Sequence, residues 1–182
     1  MEPKDFVKHA RGYLEQNAFQ LDAAGNFAGL FTADLYALKK GRSLGIFFPY
    51  EDHLFFHALD AREANDAARI RALHEGERSY VNSLFKLPRA LRYKVPNIVT
   101  VGVSAGGFSG EVIDYAKAPQ VSIVGGEKHS VILIDLANRS IISQGMETTY
   151  ARGIGITFRQ VNPTNRAQVL VADLARTVLG VQ

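Results

Sequence analysis

The chain has 182 residues, 47% of them apolar and 21% charged, which is enough to bury a core as one globular domain over 1–182 and leaves no apolar run long enough to span a bilayer. With no cysteine, disulfides and thiolate chemistry are excluded, and an opening "MEPKDFVKHARGYLEQ" without an apolar signal core points to a cytoplasmic protein. The net charge of +3 leans only weakly toward polyanions, so where the charges fall matters more than their sum.

Phe6, Ala10, Tyr13, Leu14 and Phe19 recur at near-helical spacing after Pro3 and predict an amphipathic helix that ends near Gly25. "FAGLFTADLYALK" and "RSLGIFFPY" read as two strands of a hairpin with "KGR" as the turn, and Pro49 should stop the second strand or sit at an edge. From Asp60 to Leu84 the chain is rich in helix formers, with Ala64, Ala67, Ala68, Ile70, Ala72 and Leu73 available to one side. Pro88 and Pro96 interrupt regular structure beyond this helix. "NIVTVGV" then reads as a buried strand, "SGEVIDYAKA" as a short helix ending before Pro119, and "VSIVGG" as the next strand. "SVILIDL" and "SIISQG" flank "ANR" as a second hairpin, and a last helix starts with Asn162 as cap and Pro163 in its first turn. This order predicts an α/β fold bordering on α+β, with a mixed central sheet flanked by helices and a locally parallel pair at the strand–helix–strand unit.

Gly102-Val103-Ser104-Ala105-Gly106 spells G-x-S-x-G between a strand and a helix, the setting of a hydrolase nucleophile. The serine lacks partners in the order a hydrolase needs. His129 is the only histidine after Ser104, and the acids between them, Glu111, Asp114 and Glu127, lie on the adjacent helix or beside that histidine. Gly106, Gly107 and Gly110 suit a strand exit instead, with Ser109 as a helix cap. Ser104 stays an alternative catalytic residue.

The segment "VPNIVTVGVSAGGFSGEVIDYAKAPQVSIVGG" resembles the carboxyl-terminal half of the restriction-endonuclease-like, PD-(D/E)XK, core of Mrr-type enzymes. The residues concerned are Val99-Thr100, Gly107-Phe108, Ile113, Tyr115-Ala116 and Val124-Gly125. The opening helix, with Leu14-Glu15-Gln16-Asn17-Ala18-Phe19, and the hairpin after it are similar in outline. The resemblance covers about 5–126 and implies a core over 1–126, with 127–182 an appended hairpin and helix. It implies an aspartate on one strand and a Glu/Gln-x-Lys on the next, to hold Mg²⁺ and activate water. Asp34 matches the first position, while Phe47, Phe48 and Pro49 stand at the second, so Asp34 reads as a remnant and the chain as a catalytically degenerate nuclease fold without a cofactor. A relocated Mg²⁺ site would draw on Asp34, Glu15 and Glu51.

His53 and His57 stand four apart with Glu51 and Asp52 nearby, a metal cluster if helical, although packing is the simpler account. "GGEKHS" could cradle an anion, and Phe47, Phe48, Tyr50, Phe55 and Phe56 read mainly as core. No acid falls between Glu77 and Glu111, where Arg78, Lys86, Arg89, Arg92 and Lys94 lie. Lys86, Arg89, Arg92 and Lys94 are expected to contact nucleic-acid phosphates, with Lys39, Lys40 and Arg42 on the hairpin turn as a second patch. Nucleic acid or a protein partner, including a second copy joined through the appended hairpin and last helix, are the expected partners; a membrane is not.

Overall fold

The computed structural model describes residues 1–43, 48–86, 95–118, 128–144, 146–150, 156–160 and 166–180. Among the described residues, eight strands form a single sheet in sequence order, and helices cover both of its faces, as expected for a mixed α/β fold. Among the described residues no helix is long and apolar enough to cross a membrane.

Helix α1 (Pro3–Gln16) buries Phe6, Val7, Ala10 and Leu14 and ends earlier than the sequence suggested. Ala18 turns the chain with a φ of 60°, and Phe19 is buried beyond it. Strand β1 (Gln20–Phe27) therefore occupies residues expected to be helix or loop. Ala28 and Gly29, with φ of 52° and 74°, return the chain into β2 (Phe31–Ser43), and Asn26 Oδ1 accepts the Gly29 amide across this turn.

The β2–β3 hairpin is longer than expected. β3 spans Phe48–Leu59, and its antiparallel ladder with β2 runs from Leu35↔Phe56 to Ser43↔Phe48. "KGR" is thus part of β2 and not the turn. A Cβ at Gly41 would overlap the tip of the Tyr50 ring, so a side chain there would require that ring to shift. Pro49 does not stop the strand. It sits opposite Arg42, one residue before β3 begins to pair with its other neighbour at Tyr50↔Val95, where a missing N–H removes no bond on that side.

A short 3₁₀ turn (Glu63–Asn65) precedes α2 (Ala67–Ser83), whose amino end is capped by Asp66 accepting the Arg69 amide at 3.0 Å. The helix buries Ala67, Ile70, Leu73, His74, Glu77 and Val81, whereas Ala68 and Ala72 face solvent. β4 (Val95–Ser104) lies parallel to β3. α3 (Gly110–Lys117), capped by Ser109, leads to β5 (Lys128–Asp135), which lies parallel to β4. Two parallel pairs buried on both faces explain the near-continuous apolar runs of β4 and β5.

The strand expected at "VSIVGG" lies outside the described residues, and so do the "GGE" of "GGEKHS", Asn162 and Pro163. β5, expected as the first strand of a hairpin, is also the parallel neighbour of β4. β6 (Ser140–Ser143) pairs antiparallel with β5, as the second hairpin predicted, and β7 (Met146–Tyr150) and β8 (Ile156–Gln160), which the sequence reading missed, extend the sheet.

α4 (Arg166–Leu179) packs with α1 on one face of the sheet, and Ala167, Val171, Leu174 and Ala175 join a core with Leu35, Leu54, Phe56, Val99, Val101, Ile132 and Ile134. The apolar side of the last helix is thereby packed inside the chain. α2 and α3 cover the other face over Tyr36, Phe55, Ile98, Val131 and Leu133.

Candidate functional site

Asp34 lies where the β2–β3 ladder stops. The last paired residues are Leu35 and Phe56, although β3 continues to Leu59, and the Asp34 carboxylate accepts the Ala58 amide at 2.7 Å. Around this point the inward side of β2 changes: Leu35 and Ala37 join the α1–α4 core, while Phe31 and Ala33 join the α2–α3 core. The carboxylate thus satisfies a backbone donor at an irregularity in the sheet. Its neighbours on β3 are Phe56, His57 and Ala58. Phe48 and Pro49, the residues set against Asp34 by the sequence reading, lie at the opposite end of the strand, and Phe47 is outside the described residues.

Behind Asp34 is a buried polar group that the sequence reading did not assemble. His57 Nε2 lies 2.6 Å from Glu77 Oε1, and the Thr100 hydroxyl donates to Glu77 Oε2. Glu77 is wholly buried, and burial pushes its carboxyl above the ordinary 4.5 despite the opposing bonds from His57 and Thr100. The spacing of Ile70, Leu73, Glu77 and Val81 along α2 carries this signal, since it places Glu77 in the apolar stripe.

His53 and His57 lie on a strand, not a helix, so their four-residue separation spans about 13 Å. They serve different partners. Tyr36, a buried phenol whose pKa is raised by burial and then by Tyr80, Asp22 and Glu51, stays protonated, and its hydroxyl lies 2.8 Å from His53 Nδ1. Asp52 accepts Asn97 Nδ2 at 2.6 Å. The expected metal set also fails to converge: Glu15 is exposed on α1, which packs on the other face, and Glu51 pairs with Lys40, about 20 Å along β2 from Asp34.

Ser104 ends β4 and is buried, with Oγ accepting the Gly106 amide at 3.2 Å. The adjacent Asp135 carboxylate holds the β5–β6 turn through the amide and side chain of Asn138. His129 pairs in register with Ile98, about 20 Å up the strand from Ser104. It meets His74 Nε2 at 3.1 Å, and His74 Nδ1 meets the Tyr115 hydroxyl at 2.8 Å. Burial, His129 and Arg78 push the His74 imidazole down to about 3, so it is neutral at physiological pH. Among the described residues no imidazole bonds to Ser104.

The basic residues separate in the same way. Lys39 does not lie on a turn: its Nζ donates to Asn17 O at 2.8 Å and lies 5.3 Å from the Phe19 ring centroid, holding β2 to the end of α1. Lys40 and Arg42 are on β2 and point to solvent, with Lys40 keeping 60% of its side chain exposed although Glu51 is 3.9 Å away. Lys86 is exposed just past α2, and Arg89, Arg92 and Lys94 lie outside the described residues.

No family model, curated protein or solved structure matches this chain.

Proposed function

We propose that the chain is a restriction-endonuclease-like domain that binds nucleic acid and does not cut it at Asp34. The carrying observation is the bond from the Ala58 amide to the Asp34 carboxylate, with Phe56, His57 and Ala58 beside it where metal chemistry would need a second carboxylate and a lysine. The order of one helix, three antiparallel strands and two parallel crossovers agrees with the outline of that core and supports the reading. The exposed cations Lys40 and Arg42 lie about 20–26 Å along β2 from Asp34, so a phosphate held by them is out of its reach. Cutting and holding are thus assigned to different ends of the hairpin, and only holding retains exposed groups suited to it.

The test is incubation with duplex DNA and Mg²⁺ or Mn²⁺, scored for both binding and cleavage. Binding at low salt with intact DNA supports the proposal. Cleavage lost in Asp34→Ala would restore an active nuclease, and turnover of a generic ester lost in Ser104→Ala would restore a serine hydrolase.

A further inference from the structure

The end of the β2–β3 ladder that carries Lys40 and Arg42 projects past its neighbours. β1 pairs with β2 only as far as Leu38, and β4 pairs with β3 only from Tyr50 onward, so beyond these points no other strand among the described residues flanks the pair. Residues 39–43 run about 17 Å past β1 as one arm of a two-stranded ribbon, and Phe48 and Pro49 run past β4 as the other. The base of the ribbon is tied down, since Lys39 Nζ donates to Asn17 O at the end of α1.

The ribbon sorts its charges. Its ladder keeps one register from Leu35↔Phe56 to Ser43↔Phe48, so Lys40 and Arg42 share a face, about 7 Å apart along the strand. Lys40 keeps 60% of its side chain exposed, and Arg42 is exposed beside it. The two acids of the facing strand, Glu51 and Asp52, are only 8% and 3% accessible, and Asp52 accepts Asn97 Nδ2. A projecting element that holds charges of both signs therefore presents the positive one.

We infer that this ribbon enters the major groove of B-form duplex DNA, which rests on the nucleic-acid reading and names the element that makes the contact. Two paired strands lie about 4.8 Å apart, and with their side chains they fill a groove about 12 Å wide, whereas the minor groove, at about 6 Å, excludes them. The overhang of about 17 Å exceeds the groove's depth of about 8.5 Å, so the ribbon reaches the groove floor before the end of β1 meets the backbone. The major groove of an RNA duplex is too deep and narrow for side chains to read, and a single strand has no groove. Lys40 and Arg42 then meet the phosphates that line the groove wall.

The experiment measures binding of the full chain at low salt to a DNA duplex, an RNA duplex of the same sequence and one DNA strand alone, followed by dimethyl sulfate footprinting on the DNA duplex. The reagent methylates guanine N7 in the major groove and adenine N3 in the minor groove. The DNA duplex should bind at least about tenfold more tightly than the other two. Guanine N7 should be protected and adenine N3 not, and Lys40→Ala/Arg42→Ala, checked as folded by circular dichroism, should lose the N7 protection. Equal affinity for the RNA duplex or the single strand, protection of adenine N3 in place of guanine N7, or N7 protection unchanged in the double variant overturns the inference and leaves the nucleic-acid reading standing. Absence of binding to all three overturns both.

Discussion

The two ends of the β2–β3 hairpin use their polar groups in opposite ways. Near Asp34 they turn inward: Asp34 holds the Ala58 amide, His57 and Thr100 hold Glu77, and Ser104 holds the Gly106 amide. Near Arg42 the cations Lys40 and Arg42 face solvent, although Asp52 and Asn97 beside them are buried and bonded to each other. Resemblance to a nuclease would place catalysis at the first end, where the Ala58 amide engages one oxygen of Asp34.

The contrast can be broken most severely at Glu77. Glu77→Ala leaves His57 and Thr100 without their buried partner and opens a cavity, and should cost about 3–5 kcal/mol in denaturant unfolding with affinity for duplex DNA unchanged in the folded fraction. Asp34→Ala should cost about 1.5–3 kcal/mol by orphaning the Ala58 amide, while Asp34→Asn, which keeps an acceptor oxygen, should cost less. A stability unchanged in Asp34→Ala would mean that the carboxylate is not engaged with the backbone.

Glu77 also gives the inward end a pH signature. Its folded carboxyl titrates above the ordinary 4.5, so between 4.5 and the raised value the unfolded chain binds fewer protons than the folded one. Stability relative to Glu77→Gln should thus be fullest below pH 4.5 and fall as pH rises through the raised value. Paired unfolding curves at several pH values check this, and a rise would contradict it. The smallest effect on stability belongs to the outward end: Lys40→Ala with Arg42→Ala should change unfolding by no more than about 1 kcal/mol, because Lys40 is 60% exposed and only 3.9 Å from the nearly buried Glu51.

The interior of the fold was largely legible in the sequence. β4 announced itself as an apolar run, Ser109 as a cap, and α2 by its composition, although the helix-rich stretch from Asp60 opens with a separate 3₁₀ turn before α2 begins at Ala67. β1 was missed because alanine, glycine and asparagine carry little strand preference, and the pairing with β2 decides its conformation. The hairpin turn was misplaced because Gly41 looks like a turn residue, whereas it makes room for the Tyr50 ring. That slip moved the residues opposite Asp34 from Phe56–Ala58 to Phe47–Pro49, since a register error carries through a whole strand. Glu77 was legible by spacing and masked by its charge, because carboxylates seldom lie fully buried without partners and both of its partners come from distant strands.

The central claim, that the chain holds a polyanion at the Lys40–Arg42 end and not at Asp34, is tested most directly by the salt dependence of duplex DNA binding. Wild type, Asp34→Ala and the Lys40→Ala/Arg42→Ala double variant are compared in plots of log affinity against log salt concentration. Affinity should fall steeply with salt in wild type and equally in Asp34→Ala, while the double variant should bind more weakly with a slope shallower by about 2, one unit per lost phosphate contact. Absence of binding at low salt, or a slope that Lys40→Ala/Arg42→Ala leaves unchanged, would contradict it.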